Sequence, residues 1–132
     1  MLMPRVARYM SLDPVTVSPN DPMAIAHRLM RERHVRHLPV VEHGRLVGIV
    51  SDRDLHLLES LRDVVPTEVT VGEAMTTDVY AVPLDTALDE VTHEMMDRKL
   101  GSVVVVGPRG IEGIFTSIDA LRALSDLLAR ET

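Results

Sequence analysis

No cysteine occurs among the 132 residues, which excludes disulfides, zinc–thiolate sites and thiol nucleophiles. Aromatic side chains are almost missing: Tyr9, Tyr80 and Phe115 are all there are. The core must therefore be assembled from Val, Ile, Leu, Ala and Met, and there is no platform of rings on which single-stranded bases could stack. Cationic excess is lacking as well. A net charge of −6 argues against non-specific binding to nucleic acid or an anionic membrane, both of which need a positive surface. No apolar run approaches the length of a bilayer span. Met1 to Met10 carries arginines but no apolar stretch of the kind a secretory signal has. The expectation is a soluble cytoplasmic protein with no membrane partner and no nucleic-acid partner.

Catalytic fingerprints are absent too. The chain has no Gly-x-x-x-x-Gly-Lys-Ser/Thr loop, no Gly-x-Gly-x-x-Gly turn and no Gly-x-Ser-x-Gly elbow. His34, His37 and His43 are near in sequence, but a proline and an expected strand separate them. His93-Glu94-Met95-Met96-Asp97 fails the zinc-helix pattern at its last position. Neither an enzyme nor a metal centre is expected.

What the chain does contain is a repeat, the first thing to seek in any sequence. A shift of 65 residues without a gap superposes Val6 on Val71, Met10 on Met75, Asp13 on Asp78 and Val17 on Val82. It also superposes Met30 on Met95, Arg33 on Arg98, Val40-Val41 on Val105-Val106, Gly48-Ile49 on Gly113-Ile114, and Asp54 on Asp119. Two copies follow, residues 1–65 and 66–132. A unit this small cannot bury an apolar face alone, so the copies are expected to pack sheet to sheet about a pseudo-twofold axis.

Each copy reads as β-α-β-β-α after a short helical lead-in (Val6 to Met10; Val71 to Met75), a mixed α/β fold. Brief extended pieces follow at Val15 to Val17 and Val79 to Val82. Asn20-Asp21-Pro22 and Asp85 read as helix N-caps. Helices are predicted over about 23–33 and 86–99, with Ala26 and Met30, or Val91 and Met95, on one face. Met23, Met30, Met75, Met95 and Met96 read as core or subunit interface. Strands are predicted at Leu38 to Val41, Leu46 to Val50, Val103 to Val106 and Ile111 to Phe115. His43-Gly44-Arg45 and Gly107-Pro108-Arg109-Gly110 are their hairpin turns. Closing helices run over about 53–61 and 118–129, and Arg62 to Thr70 forms a connector in which Pro66 bars a continuous helix.

The pattern that could carry chemistry is Gly48-Ile49-Val50-Ser51-Asp52-Arg53-Asp54, answered by Gly113-Ile114-Phe115-Thr116-Ser117-Ile118-Asp119. Ser/Thr-x-x-Asp at a helix start is first of all a capping box. The same helix mouth is an anion site, and a carboxylate there can accept both hydroxyls of a ribose. The two roles are compatible. An exposed arginine at an element end is commonly just solvated, so Arg36 and Arg53 gain weight only together with Ser51.

These residues, with Asp13-Pro14-Val15-Thr16-Val17-Ser18-Pro19 and His34-Val35-Arg36-His37-Leu38-Pro39-Val40-Val41, closely resemble the CBS domain, here in tandem and over essentially the whole chain. The resemblance implies an adenosine-type ligand between the copies (AMP, ADP, ATP, NAD or S-adenosylmethionine), each site drawing on both, and no required cofactor. For one site it implies Asp54 at the ribose and Ser51 at phosphate, with Arg36, His37 and Arg53 adding charge-assisted contacts. Asp78, Val79 and Tyr80 would border the base, although Tyr80 also reads as packing. For the other it implies Asp119 at the ribose and Thr116 at phosphate, with Asp13, Pro14 and Val15 along the base and Val35 and Arg36 nearby.

The second copy departs from the family pattern. Gly101-Ser102-Val103-Val104 stands where the first copy has Arg36-His37-Leu38-Pro39, and Ile118 stands at the place of Arg53. The Asp54 site is therefore expected to prefer a charged nucleotide, and the Asp119 site to be weaker, empty or tuned to a less charged derivative. The resemblance further implies a homodimer acting on a regulated protein that the sequence does not identify. A dimerisation module without ligand is the competing reading.

Overall fold

The computed structural model describes residues 2–61 and 65–131. Arg62 to Val64, the start of the predicted connector, lie outside the described residues. The elements run α1 (Val6–Tyr9), β1 (Ser11–Leu12), α2 (Met23–Arg33), β2 (His37–Glu42), β3 (Arg45–Ser51), α3 (Asp52–Leu61), α4 (Val71–Ala74), β4 (Ala81–Pro83), α5 (Leu88–Arg98), β5 (Ser102–Gly107), β6 (Gly110–Thr116) and α6 (Ser117–Glu131). The class is mixed α/β, as the sequence pattern requires.

The chain forms two compact units, Val15–Val79 and Met1–Pro14 with Tyr80–Thr132. They are cut differently from the two copies. Each lead-in leaves its own copy and completes the other copy's unit. In Val15–Val79, β2 and β3 pair antiparallel from His37↔Ser51 to Glu42↔Arg45. Flanking them are single bridges, Val17 parallel to Val40 and Thr76 antiparallel to Ile49. In the other unit the same places are filled by true strands, giving a four-stranded sheet of order β1-β6-β5-β4. The extended piece predicted at Val15 to Val17 is thus a single bridge, whereas its counterpart is β4.

Both predicted hairpins form, by different chemistry. His43 and Gly44 take φ of 52° and 76°, the two positive angles of a type I′ turn. Pro108 cannot take a positive φ, so the second hairpin places it at Gly110, with φ 106°. Each hairpin carries a register shift, after Val40 and after Val105.

The predicted side-chain caps do not form. The N-cap of α2 is Pro22 and that of α5 is Ala87, neither with a side-chain bond. Backbone carbonyls do the work instead. Val69 and Pro66 accept the N–H groups of Met23 and Ala24 at 2.8 and 3.0 Å, and Pro4 accepts that of Leu88 at 2.9 Å. In return Asp21 and Thr86 accept the N–H groups of Val71 and Val6, each at 2.8 Å. The crossing lead-in therefore satisfies the open helix start, which is why a cap from Asn20, Asp21 or Asp85 is unnecessary. Asp21 closes a turn on the Ser18 N–H (2.8 Å), and Asp85 gives its carbonyl to Arg5.

The two cores correspond position by position. Val6, Val82, Leu88, Val91, Met95, Val103, Val105 and Phe115 are buried in one; Val71, Val17, Met23, Ala26, Met30, Leu38, Val40 and Val50 are buried in the other. Volume is conserved by exchange. Where one core has Val50 and Leu55, the other has Phe115 and Ala120, a large-for-small trade of the kind packed interiors tolerate. Met23, Met30 and Met95 lie in these cores, while Met96 is exposed. A glycine marks each crossing of the lead-in. A Cβ at Gly48 would stand 2.9 Å from the Thr76 carbonyl, and one at Gly113 2.7 Å from that of Ser11.

Candidate functional site

In Val15–Val79 the site is built at the junction of β3 and α3. The N–H of Asp52 is held by the Arg36 carbonyl at 2.9 Å, so the helix begins as soon as the strand ends. Ser51 and Asp54 then form the reciprocal capping box: the Ser51 N–H donates to Asp54 Oδ2 at 2.9 Å, and the Asp54 N–H donates to Ser51 Oγ at 3.0 Å. Among the described residues no other hydrogen-bond donor reaches the Asp54 carboxylate, and its side chain is only half-buried. An ionised carboxylate has about four acceptor positions, so most of this one's capacity is open.

His37 faces Ser51 across the strand pair. Burial pushes its pKa below 6.5, against the pull of the Asp54 carboxylate; the Arg36 guanidinium adds to the lowering. The charges of Asp54 and Arg36 thus both reach His37 through space. The backbone of Arg36 ties down the start of α3, while its side chain lines, with Val35, Arg31, His34, Asp52 and His56, an open concavity of about 600 Å3. Arg53 is exposed. Asp78, Val79 and Val15 belong to this unit, Asp78 and Val79 through the crossing of the second copy's lead-in. Tyr80 falls in the other unit, where it packs on the core and lies under the Arg98 guanidinium at 5.4 Å.

In the other unit the junction of β6 and α6 repeats the design. Gly101 holds the Ser117 N–H at 3.1 Å, and the Thr116 N–H donates to Asp119 Oδ2 at 2.9 Å. Two further groups crowd in. Ser11 Oγ lies 3.1 and 3.3 Å from the two carboxylate oxygens, and Arg122 Nη1 donates to Oδ1 at 2.8 Å. Asp119 is only 2% exposed. The sequence reading missed both groups, although Ser11 aligns with Thr76 in the repeat and Arg122 stands at i+3 from Asp119, a contact spacing on a helix. Asp13 and Pro14 lie in this unit with Thr116, and Asp13 continues β1 toward Glu112, away from Thr116 along β6. Val15, Val35 and Arg36 do not belong to it. Among the described residues no group of three histidine or carboxylate side chains could hold a metal ion, and no helix is long and apolar enough to cross a membrane.

A strand–hydroxyl–helix–aspartate junction built twice, with lead-ins exchanged, fits a known family. The CBS domain matches residues 6–58 and 71–126. The chain belongs to the CBS domain family. This CBS pair is 30% identical over 107 residues to the CBS domain-containing protein YhcV of Bacillus subtilis, covering 80% of this chain and 74% of that one. It is 31% identical to inosine-5'-monophosphate dehydrogenase of Thermoplasma acidophilum, covering 83% of this chain but only 21% of the dehydrogenase. The pair therefore spans about a fifth of that enzyme's length, in its CBS part. Among solved structures, the CBS domain pair of protein MJ0100, in complex with 5'-methylthioadenosine and S-adenosyl-L-methionine, superposes with a TM-score of 0.84 at 28% identity, covering 94% of this chain and 98% of that one.

Proposed function

We propose that this CBS pair is a regulatory module that senses an adenosine-type ligand through Asp54, with a charged nucleotide (AMP, ADP or ATP) ahead of NAD or S-adenosylmethionine. The observation that carries the proposal is the Asp54 carboxylate, fixed by one backbone donor and, among the described residues, otherwise unspent, next to Ser51 and His37. A ribose offers two hydroxyl donors to such a group. Arg36 and Arg53 supply positive charge within the same unit, which favours phosphate. The adenosine compounds bound by the CBS pair of protein MJ0100 support the same class. No catalytic role is assigned, and the module would act in the cytoplasm on a separate regulated protein.

A thermal-shift series with AMP, ADP, ATP, NAD and S-adenosylmethionine tests this. At about 100 times Kd the stabilisation is ~2.7 kcal/mol. Asp54→Ala removes charge-assisted bonds worth about 1.5–3 kcal/mol and should weaken binding roughly 10- to 100-fold. Should none of the five ligands shift the transition, the sensing role is wrong.

The second reading, a dimerisation module, has its own observation. Ile118, Leu121, Leu124 and Leu128 of α6 are each more than half exposed and fall on one face at helical spacing. A second copy of the chain is the proposed occupant. Sedimentation showing a monomer at micromolar concentration would remove it.

A further inference from the structure

We propose that Ser11 and Arg122 latch Asp119 shut, so that the chain takes one nucleotide and not two. This rests on the sensing role assigned to Asp54 and adds what decides the number of sites. Both aspartates stand at the same point of the same motif, and only one is free to bind. The Asp119 carboxylate receives the Thr116 N–H at 2.9 Å, Ser11 Oγ at 3.1 Å and Arg122 at 2.8 Å. Those donors fill the acceptor positions that ribose hydroxyls would need, and the group is 2% exposed.

At the corresponding places around Asp54 the chain has Thr76 and Leu57. Among the described residues Thr76 makes no bond to Asp54, and Leu57 has no donor to offer. The latch is therefore written in two residues outside the shared motif. Its halves differ in kind. Arg122 is a surface side chain, 63% exposed, but its partner carboxylate is 2% exposed, so letting go would leave a buried charge unpaired. Ser11 is carried by β1, which the ladder Ser11↔Ile114 and Leu12↔Gly113 fixes to β6.

Isothermal titration with ATP and with AMP reads the site count directly. The unaltered chain should bind one nucleotide. The double variant Ser11→Ala/Arg122→Leu, which copies Leu57 into the second site, should bind close to two. The reciprocal variant Leu57→Arg places a guanidinium at i+3 from Asp54, on an exposed position that does not burden folding. It should weaken the single site at least tenfold. Two equal sites in the unaltered chain overturn the latch. So does a double variant that folds, by circular dichroism, yet still binds one, or a Leu57→Arg chain with unchanged affinity. One site that Asp54→Ala abolishes, with no gain on unlatching, sinks the latch and leaves the sensing role standing. Absence of heat with every chain sinks the latch, and if none of the five ligands shifts the melting transition either, the sensing role falls with it.

Discussion

Asp54 and Asp119 share a motif, a helix start and a backbone donor, yet one carboxylate is open and the other is enclosed. The sheets around them differ as well. The unit of Asp119 has β1 and β4 as strands, whereas the unit of Asp54 keeps only bridges at Thr76 and Val17. Ser11 and Thr76 are nonetheless paired at matching positions, with Ile114 and Ile49, so the strands alone do not separate the two carboxylates. Duplication has thus held constant what the core needs, namely the strand pair, the glycine at the crossing and the buried faces of the helices. It has let vary the side chains that meet the helix mouth.

The comparison can be broken most forcefully in the cores. Phe115→Val should cost about 2–3 kcal/mol through the cavity it leaves, read as a fall in the urea midpoint. Adding Ala120→Leu rebuilds the pairing seen at Val50 and Leu55 and should recover at least ~0.5 kcal/mol beyond additivity in a double-mutant cycle. Simple additivity would mean that the matched volumes are a coincidence.

A smaller effect separates the aspartates themselves. Asp54→Ala removes a cap and should cost about 0.5–2 kcal/mol of ligand-free stability. Asp119→Ala removes the cap and also the bonds that Ser11 and Arg122 make to a carboxylate 2% exposed, so about 1–3 kcal/mol is expected. Thermal melts would settle the order, and a costlier Asp54→Ala would reverse the assignment of the closed site.

The smallest effect belongs to His37, whose place in the second copy is taken by Ser102. Burial holds His37 below its ordinary 6.5, so the unfolded chain takes up the proton first. The stability from the neutral ring is complete above pH about 6.5 and declines as the pH falls below it. His37→Gln should flatten that part of the stability–pH curve. A bound phosphate favours the charged ring, so ATP binding should tighten between pH 8 and pH 6 and take up a proton. Equal affinity at both values would place phosphate away from His37.

Most of the architecture was legible because its signals are local. Apolar period and turn residues placed α2 at Met23–Arg33 and both hairpins, and the identities at a fixed offset revealed the duplication. The caps at Asn20, Asp21 and Asp85 failed for the opposite reason. Side-chain capping is read from neighbours, and the groups that won, the carbonyls of Pro4, Pro66 and Val69, come from far along the chain. The left-handed C-caps at His34 and Lys99, with φ of 54° and 55°, carry no glycine to announce them.

Residue types and their spacing were enough to determine the family, the hydrophobic faces and the pair of Ser/Thr-x-x-Asp junctions, since each depends on contacts within a few residues. Which lead-in completes which unit, and which carboxylate keeps its acceptor positions free, were decided only by the folded chain. Hydrogen-bond capacity is consumed by whatever donor arrives in space. For Asp119 one donor came from a strand more than a hundred residues away, and for Asp54, among the described residues, none did.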